Sequence, residues 1–248
     1  MGMAWRGRVG VLVVVALTAG CTTPRERMMR RLGPAAQIAS ASIDNLGWCR
    51  DGKRIESARF TAIVTTYDKD GKSYTDRQEM VADFKTDTIA ATGGTPQGAW
   101  RAVADDDGKF KLKADDDVDE ARVTDRMAPT LAILLHRLRG PYNLLGKSER
   151  ARTARTVSVD GQDVVRVSVD GDNRKAIAYY FDTASGILKF VTAGADRPGG
   201  DGTVTVYQYD SLPDGVAFPN RIKVTHIGRH VLVGDRGVFE IEISNVSF

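Results

Sequence analysis

The chain has 248 residues, and 35 lysines and arginines against 32 aspartates and glutamates leave a formal charge of +3. Arg6 and Arg8 supply two of those charges, and both lie in a segment that reads as a removable leader. A mature chain this close to neutral has no broad basic field, which argues against nucleic acid as a partner.

The apolar run from Val9 to Ala19 follows Arg6 and Arg8 and ends in Leu17, Thr18, Ala19, Gly20 and Cys21. This predicts a signal peptide over residues 1–20 and a lipobox, with cleavage before Cys21 and a diacylglycerol on its thiol. The small Ala19 and Gly20 suit a peptidase cleft. An uncleaved anchor is the competing reading, but the run is shorter than the roughly 20 residues of a membrane span. Stable attachment takes more than one acyl chain, and diacylglycerol with an N-terminal acyl group meets that need. Thr22, where an aspartate is absent, is similar to enterobacterial lipoproteins of the outer membrane and implies its periplasmic face. Residues 21–33 read as a lipidated tether in which Arg25, Arg27, Arg30 and Arg31 either meet lipid head groups or are simply solvated. With Cys21 committed to lipid, Cys49 has no partner for an intrachain disulfide.

From Pro34 the apolar positions Ala35, Ala39, Ile43 and Leu46 recur at helical spacing, and Gly47 stops the pattern. The period then changes to two. Phe60, Ala62 and Val64 alternate with polar residues, as do Met80, Ala82 and Phe84. Asp-Gly pairs recur at Asp51-Gly52, Asp70-Gly71, Asp107-Gly108, Asp160-Gly161, Asp170-Gly171, Asp201-Gly202 and Asp214-Gly215. Pairs that tolerate positive φ between β-like runs predict hairpins of antiparallel strands. Thr124 to Leu145 breaks the pattern. Met127, Leu131, Leu134, Leu135 and Leu138 form a broad apolar helical face, which Arg139, Gly140 and Pro141 terminate. Strand patterns resume with Val165, Val167 and Val169, then Ile177, Tyr179 and Phe181, then Val204 and Val206, and finally Phe239, Ile241 and Ile243. No composition break divides residues 34–248, which predicts one mainly β domain.

The candidate chemical motifs are weak. Pro141 to Ser148 ends like a phosphate-binding loop, but Gly140 is one residue too far from Gly146 and the segment follows a helix rather than a strand. Asp68, Asp70, Asp76 and Glu79 have a calcium-loop interval, yet Lys72 stands at a ligand position and Ser73 where glycine turns the loop. His226 and His230 flank Gly228 without the further ligands that zinc requires. Cys49, beside Arg50, reads as a buried small residue rather than a nucleophile. No G-x-S-x-G elbow is present. The expectation is a protein without catalytic residues, metal or cofactor.

The C-terminal third carries Tyr179-Tyr180-Phe181-Asp182, Ser185-Gly186-Ile187-Leu188, Val206-Tyr207-Gln208-Tyr209-Asp210 and Asp214-Gly215-Val216-Ala217-Phe218-Pro219-Asn220-Arg221-Ile222. This text resembles the LolA/LolB-type outer-membrane lipoprotein-sorting proteins and their lipid-carrying relatives. The resemblance implies a strongly curved antiparallel sheet, an incomplete β-barrel closed by a helical lid over an apolar cavity that receives acyl chains of lipids or lipoproteins. A lipid-anchored chain resembles the LolB-type acceptor, although the connection Thr92 to Gln97 lacks a leucine for its protruding apolar loop. The expected wall is Phe60, Ala62, Val64, Met80, Phe84, Ile177, Tyr179, Phe181, Phe239 and Ile241, with Leu131, Leu134 and Leu138 from the lid. The same residues would equally fill a closed core. The expected partners are the membrane, acyl chains of lipid or lipoprotein, and a carrier protein. A non-catalytic structural or envelope-sensing module on the same sheet is the alternative.

Overall fold

Strands dominate because β-branched, aromatic and small residues alternate with polar ones, so every second side chain is delivered to one face. The computed structural model describes residues 33–50, 53–67, 72–170, 176–194, 202–227 and 237–248. The leader 1–20, Cys21 and the tether through Leu32 lie outside the described residues, as do Asp68, Asp70, Gly71, Gly171 and His230.

Helix α1 (Pro34–Asn45) opens on Pro34 and buries Ala35, Ala39 and Ile43. Gly47 ends it with φ 69°, and the Trp48 N–H turns back to the Ile43 carbonyl at 3.0 Å. A Cβ on Gly47 would also sit 3.0 Å from the Gly215 carbonyl, so glycine serves both the conformation and the close approach. A short pair, β1 (Cys49–Arg50) and β2 (Lys53–Arg54), leads into a first meander. Its strands are β3 (Ser57–Tyr67), β4 (Ser73–Asp83), β5 (Thr88–Thr95), β6 (Gly98–Asp105) and β7 (Phe110–Ala114). Helices α2 (Glu120–Arg139) and α3 (Pro141–Gly146) follow, with a 3₁₀ turn at Ser148–Arg150. The second meander comprises β8 (Ala151–Val159), β9 (Gln162–Asp170), β10 (Ala176–Asp182), β11 (Leu188–Ala193), β12 (Gly202–Ser211), β13 (Ala217–Ile227) and β14 (Gly237–Ser247).

The two meanders join through their first and last strands. Val64 lies opposite Ile241 and Thr66 opposite Phe239, giving one 12-stranded antiparallel sheet in the order β7-β6-β5-β4-β3-β14-β13-β12-β11-β10-β9-β8. The edges are therefore β7 and β8, which are consecutive in sequence. The chain between them has to travel from one edge of the sheet to the other, and α2 with α3 is that connection. Natural twist curls a sheet this wide. Register shifts at Tyr180/Phe181, Gln208/Tyr209, Val224/Thr225 and Ser244/Ser247 bend the second arm further. The result is the expected incomplete barrel.

Only some hairpins use Asp-Gly. Asp160 and Gly161 take φ 49° and 76° between Val159 and Gln162, a two-residue turn of the type that both positive angles define. The β4–β5 turn instead uses the Asp83 carboxylate, which accepts from the Lys85 and Thr86 N–H groups, each at 2.9 Å. In β10–β11 the Asp182 carboxylate accepts from Ala184 and Ser185 in the same manner. Both carboxylates are held below the usual Asp pKa, with those backbone hydrogen bonds as the leading cause.

Candidate functional site: the lid and the inner face

Helix α2 begins earlier than the apolar pattern predicts. Asp119 caps it, its Oδ1 accepting from the Arg122 N–H at 3.0 Å, and the first turn is polar and exposed, so it carried no periodic signal. Pro129 lies inside the helix and cannot donate to the preceding turn, so the helix lacks one backbone hydrogen bond near its middle. Leu131, Leu134, Leu135 and Leu138 lie beyond Pro129 and are fully buried. The helix stops at Gly140, and Asn143 of α3 donates its side-chain N–H to the His136 carbonyl.

Sheet register gathers the expected wall residues. Phe60, Ala62, Val64, Met80, Phe239 and Ile241 are all fully buried on the inner face. Tyr179 and Phe181 are buried on the same face in the second arm, whereas Ile177 is half-buried. Phe84, at the end of the β4 row, is half-buried at the sheet rim. Leu131, Leu134 and Leu138 meet this surface from the lid. The residues expected to form a wall therefore share one continuous apolar cluster.

Polar contacts hold the lid at both ends. Near its start, Arg126 donates to the Asp76 carboxylate at 2.6 Å and to Thr66 Oγ1 at 3.3 Å, with its guanidinium 5.1 Å from the centre of the Tyr74 ring. Gln78 Nε2 reaches Met127 Sδ at 3.3 Å. At the other end Tyr207 donates its hydroxyl to the Arg137 carbonyl at 3.2 Å, and Arg139 pairs with Asp87 at 2.9 Å. None of these ties was legible in the sequence, because each joins residues more than 45 positions apart.

Beside the lid's C-terminal end lies a cleft of about 390 Å³, bordered by Ile55, Phe84, Tyr142 and Leu145 and rimmed by Arg54, Glu56, Lys85 and Arg139. That volume falls within the range of small-molecule sites. Of the expected wall residues, Phe84 alone borders it. Tyr142 is fixed by its hydroxyl, which donates to the Trp48 carbonyl at 2.8 Å, and by stacking on Trp48 with ring centres 5.8 Å apart. Burial pushes its pKa up to about 12. The floor is consequently apolar and uncharged, while the rim carries both signs.

The other motifs resolve simply. Pro141–Gly146 is a short helix and not a phosphate loop. Among the described residues no group of three or more His, Cys, Asp or Glu is arranged to hold a metal ion, and the His226 and His230 side chains lie outside them. Cys49 is half-buried and free. The β5–β6 connection consists of Pro96 and Gln97 alone, a tight turn in place of a protruding loop.

The fold has solved counterparts. A LolA superfamily protein from Nitrosomonas europaea matches with a TM-score of 0.51 at 10% identity, over 86% of this chain and 93% of that one. A putative outer membrane lipoprotein-sorting protein domain from Vibrio parahaemolyticus matches with a TM-score of 0.48 at 11% identity, over 86% and 93%. No sequence-family model matches the chain. No curated protein matches it either. The chain has a LolA-type fold: a curved, open antiparallel sheet with helices.

Proposed function

We propose that this chain is a non-enzymatic lipoprotein of the cell envelope, anchored through Cys21 at the periplasmic face of the outer membrane, which binds acyl chains of lipid or lipoprotein between α2 and the inner face. The observation that carries this reading is the cleft of about 390 Å³ where the lid's end leaves the sheet rim. Phe84 continues the inner-face row of Met80 and Ala82, so the cleft opens at the end of that row. The lid is an amphipathic helix tied at its ends by polar contacts, which exchange with water at lower cost than buried apolar surface. Swinging its leucines outward would extend the cleft along Phe60, Val64, Tyr179, Phe181, Phe239 and Ile241.

The test is displacement of the neutral fluorophore N-phenylnaphthylamine from the delipidated full-length mature protein by oleoyl ligands. Saturable binding that Leu145→Asp and Phe84→Asp abolish is expected, since a carboxylate in the floor carries a desolvation penalty that an acyl chain cannot offset. Absence of saturable binding by the parent protein would leave a closed β-domain that serves as a structural or envelope-sensing module.

A further inference from the structure

Two buried hydrogen-bonding atoms in the lid region, Arg137 Nε and Thr205 Oγ1, have no partner among the described residues, and a buried phenol, Tyr179, lies within reach of the Arg137 charge. The Nε of Arg137, on the half-buried C-terminal part of α2, is fully buried and unpartnered. Thr205 on β12 is fully buried, and its Oγ1 has no partner. Tyr179 on β10 is 4% exposed. Register puts the last two in one row: Tyr179 lies opposite Val191 and Val191 opposite Thr205, so both point to the inner face with β11 between them. The Arg137 backbone is tied to the same strand, since Tyr207, two residues beyond Thr205, donates to its carbonyl.

The charge reaches them as well. Burial pushes the Tyr179 hydroxyl up to about 12, and Arg137 followed by Arg139 works against that rise. Arg137 opposes the effect of burial on Tyr207 too. Its guanidinium is therefore felt by both phenols, and no acidic side chain is paired with it among the described residues. A buried donor without an acceptor costs about 1–3 kcal/mol, more when charged. The Arg137 guanidinium with its unpartnered Nε, the Tyr179 hydroxyl that its charge reaches and the unpartnered Thr205 hydroxyl form a locus of net positive charge and spare donors, which an acceptor-rich anion would satisfy.

We infer that Arg137, Tyr179 and Thr205 form an anion subsite beneath the lid that takes the carboxylate or phosphate head of an amphiphile whose acyl chain lies along the inner face. This inference rests on the acyl-binding reading above and adds a charge requirement to it. The chain enters head first, and the lid closes over a neutralised pair instead of a bare cation.

Competition on the full-length mature protein tests it, with oleate, oleoyl lysophosphatidic acid and oleyl alcohol as displacing ligands and inorganic phosphate as a separate arm. Oleate and the lysophosphatidic acid should displace the neutral fluorophore at about tenfold or more lower concentration than the alcohol, the worth of a charge-assisted hydrogen bond. Arg137→Gln and the near-isosteric Tyr179→Phe should bring both anions to the alcohol's level. If millimolar phosphate weakens oleate binding, the subsite accepts a free anion, and if it does not, the head arrives on a lipid. Equal displacement by oleate and alcohol in the parent protein would overturn the subsite and leave acyl binding intact. Failure of all three oleoyl ligands would overturn acyl binding itself.

Discussion

The two arms of the sheet face the same lid with different surfaces. In the first arm the inner face sets small residues among large ones: Ala82 on β4, Ala91 and Gly93 on β5, and Ala102 and Ala104 on β6 lie among Phe60, Met80, Ile89 and Trp100. Small side chains let a helix backbone approach a sheet closely, and Gly93 leaves the space in which the Trp100 indole lies. The second arm presents Tyr179, Val191, Thr205, Tyr207 and Ile222, a partly polar set in which the Thr205 hydroxyl is unpaired. Each arm keeps a buried side-chain atom without a partner, Gln78 Oε1 in the first and Thr205 Oγ1 in the second. A core selected for stability alone would have put apolar groups at those positions, because unpaired polar atoms cost free energy. On the proposed reading, the head group meets the second arm while the first arm seats the lid.

Three substitutions break or sharpen that contrast. Leu134→Ala removes a fully buried lid side chain and should cost about 2–5 kcal/mol in denaturant unfolding if the lid is close-packed on its seat. A loss well below that range would mean the lid closes over open space and not over a packed surface. Gly93→Val comes next. Its side chain would overlap Trp100, and overpacking of this kind should cost about 1–3 kcal/mol; an unchanged midpoint would show that the first arm is not a tight seat. Thr205→Val has the smallest expected effect. It replaces an unpartnered hydroxyl with a methyl of similar shape, so stability should hold within about 0.5 kcal/mol or rise. A large loss there would show that the hydroxyl is structural and that the second arm is an ordinary core.

The sheet was legible where patterning and turn chemistry agree. Phe60, Ala62 and Val64 announce β3, and Asp160-Gly161 announces the β8–β9 hairpin, because period-two alternation and positive φ each have a local cause. Strands β5 and β6 were harder to see. Their sequences, TIAATGGT and GAWRAVAD, are rich in Ala and Gly, residues with weak strand preference, and tertiary contact with α2 explains the choice. The β4–β5 turn was missed because an aspartate side chain does the work of a glycine. The apolar set of the site was readable from alternation, but Arg137 was not. A cation in the last turn of a helix is ordinary dipole complementation, and only the fold shows that its Nε is buried without a partner and that Tyr207 donates to its carbonyl. Asp76, Thr66 and Arg126 likewise become a latch only when β3, β4 and the lid meet.

The central claim, that an acyl chain lies between α2 and the inner face with its head towards the second arm, is tested most directly by photo-crosslinking. A fatty acid carrying a diazirine near its carboxylate would be bound to the full-length mature protein, irradiated, and the labelled residues read by peptide mass spectrometry. The account predicts labels on β10 to β12 and the facing lid, around Tyr179, Val191 and Leu138, and their loss when excess oleate competes. Labels confined to exposed side chains such as Ile63 or Val206 on the outer face, unaffected by oleate, would contradict it.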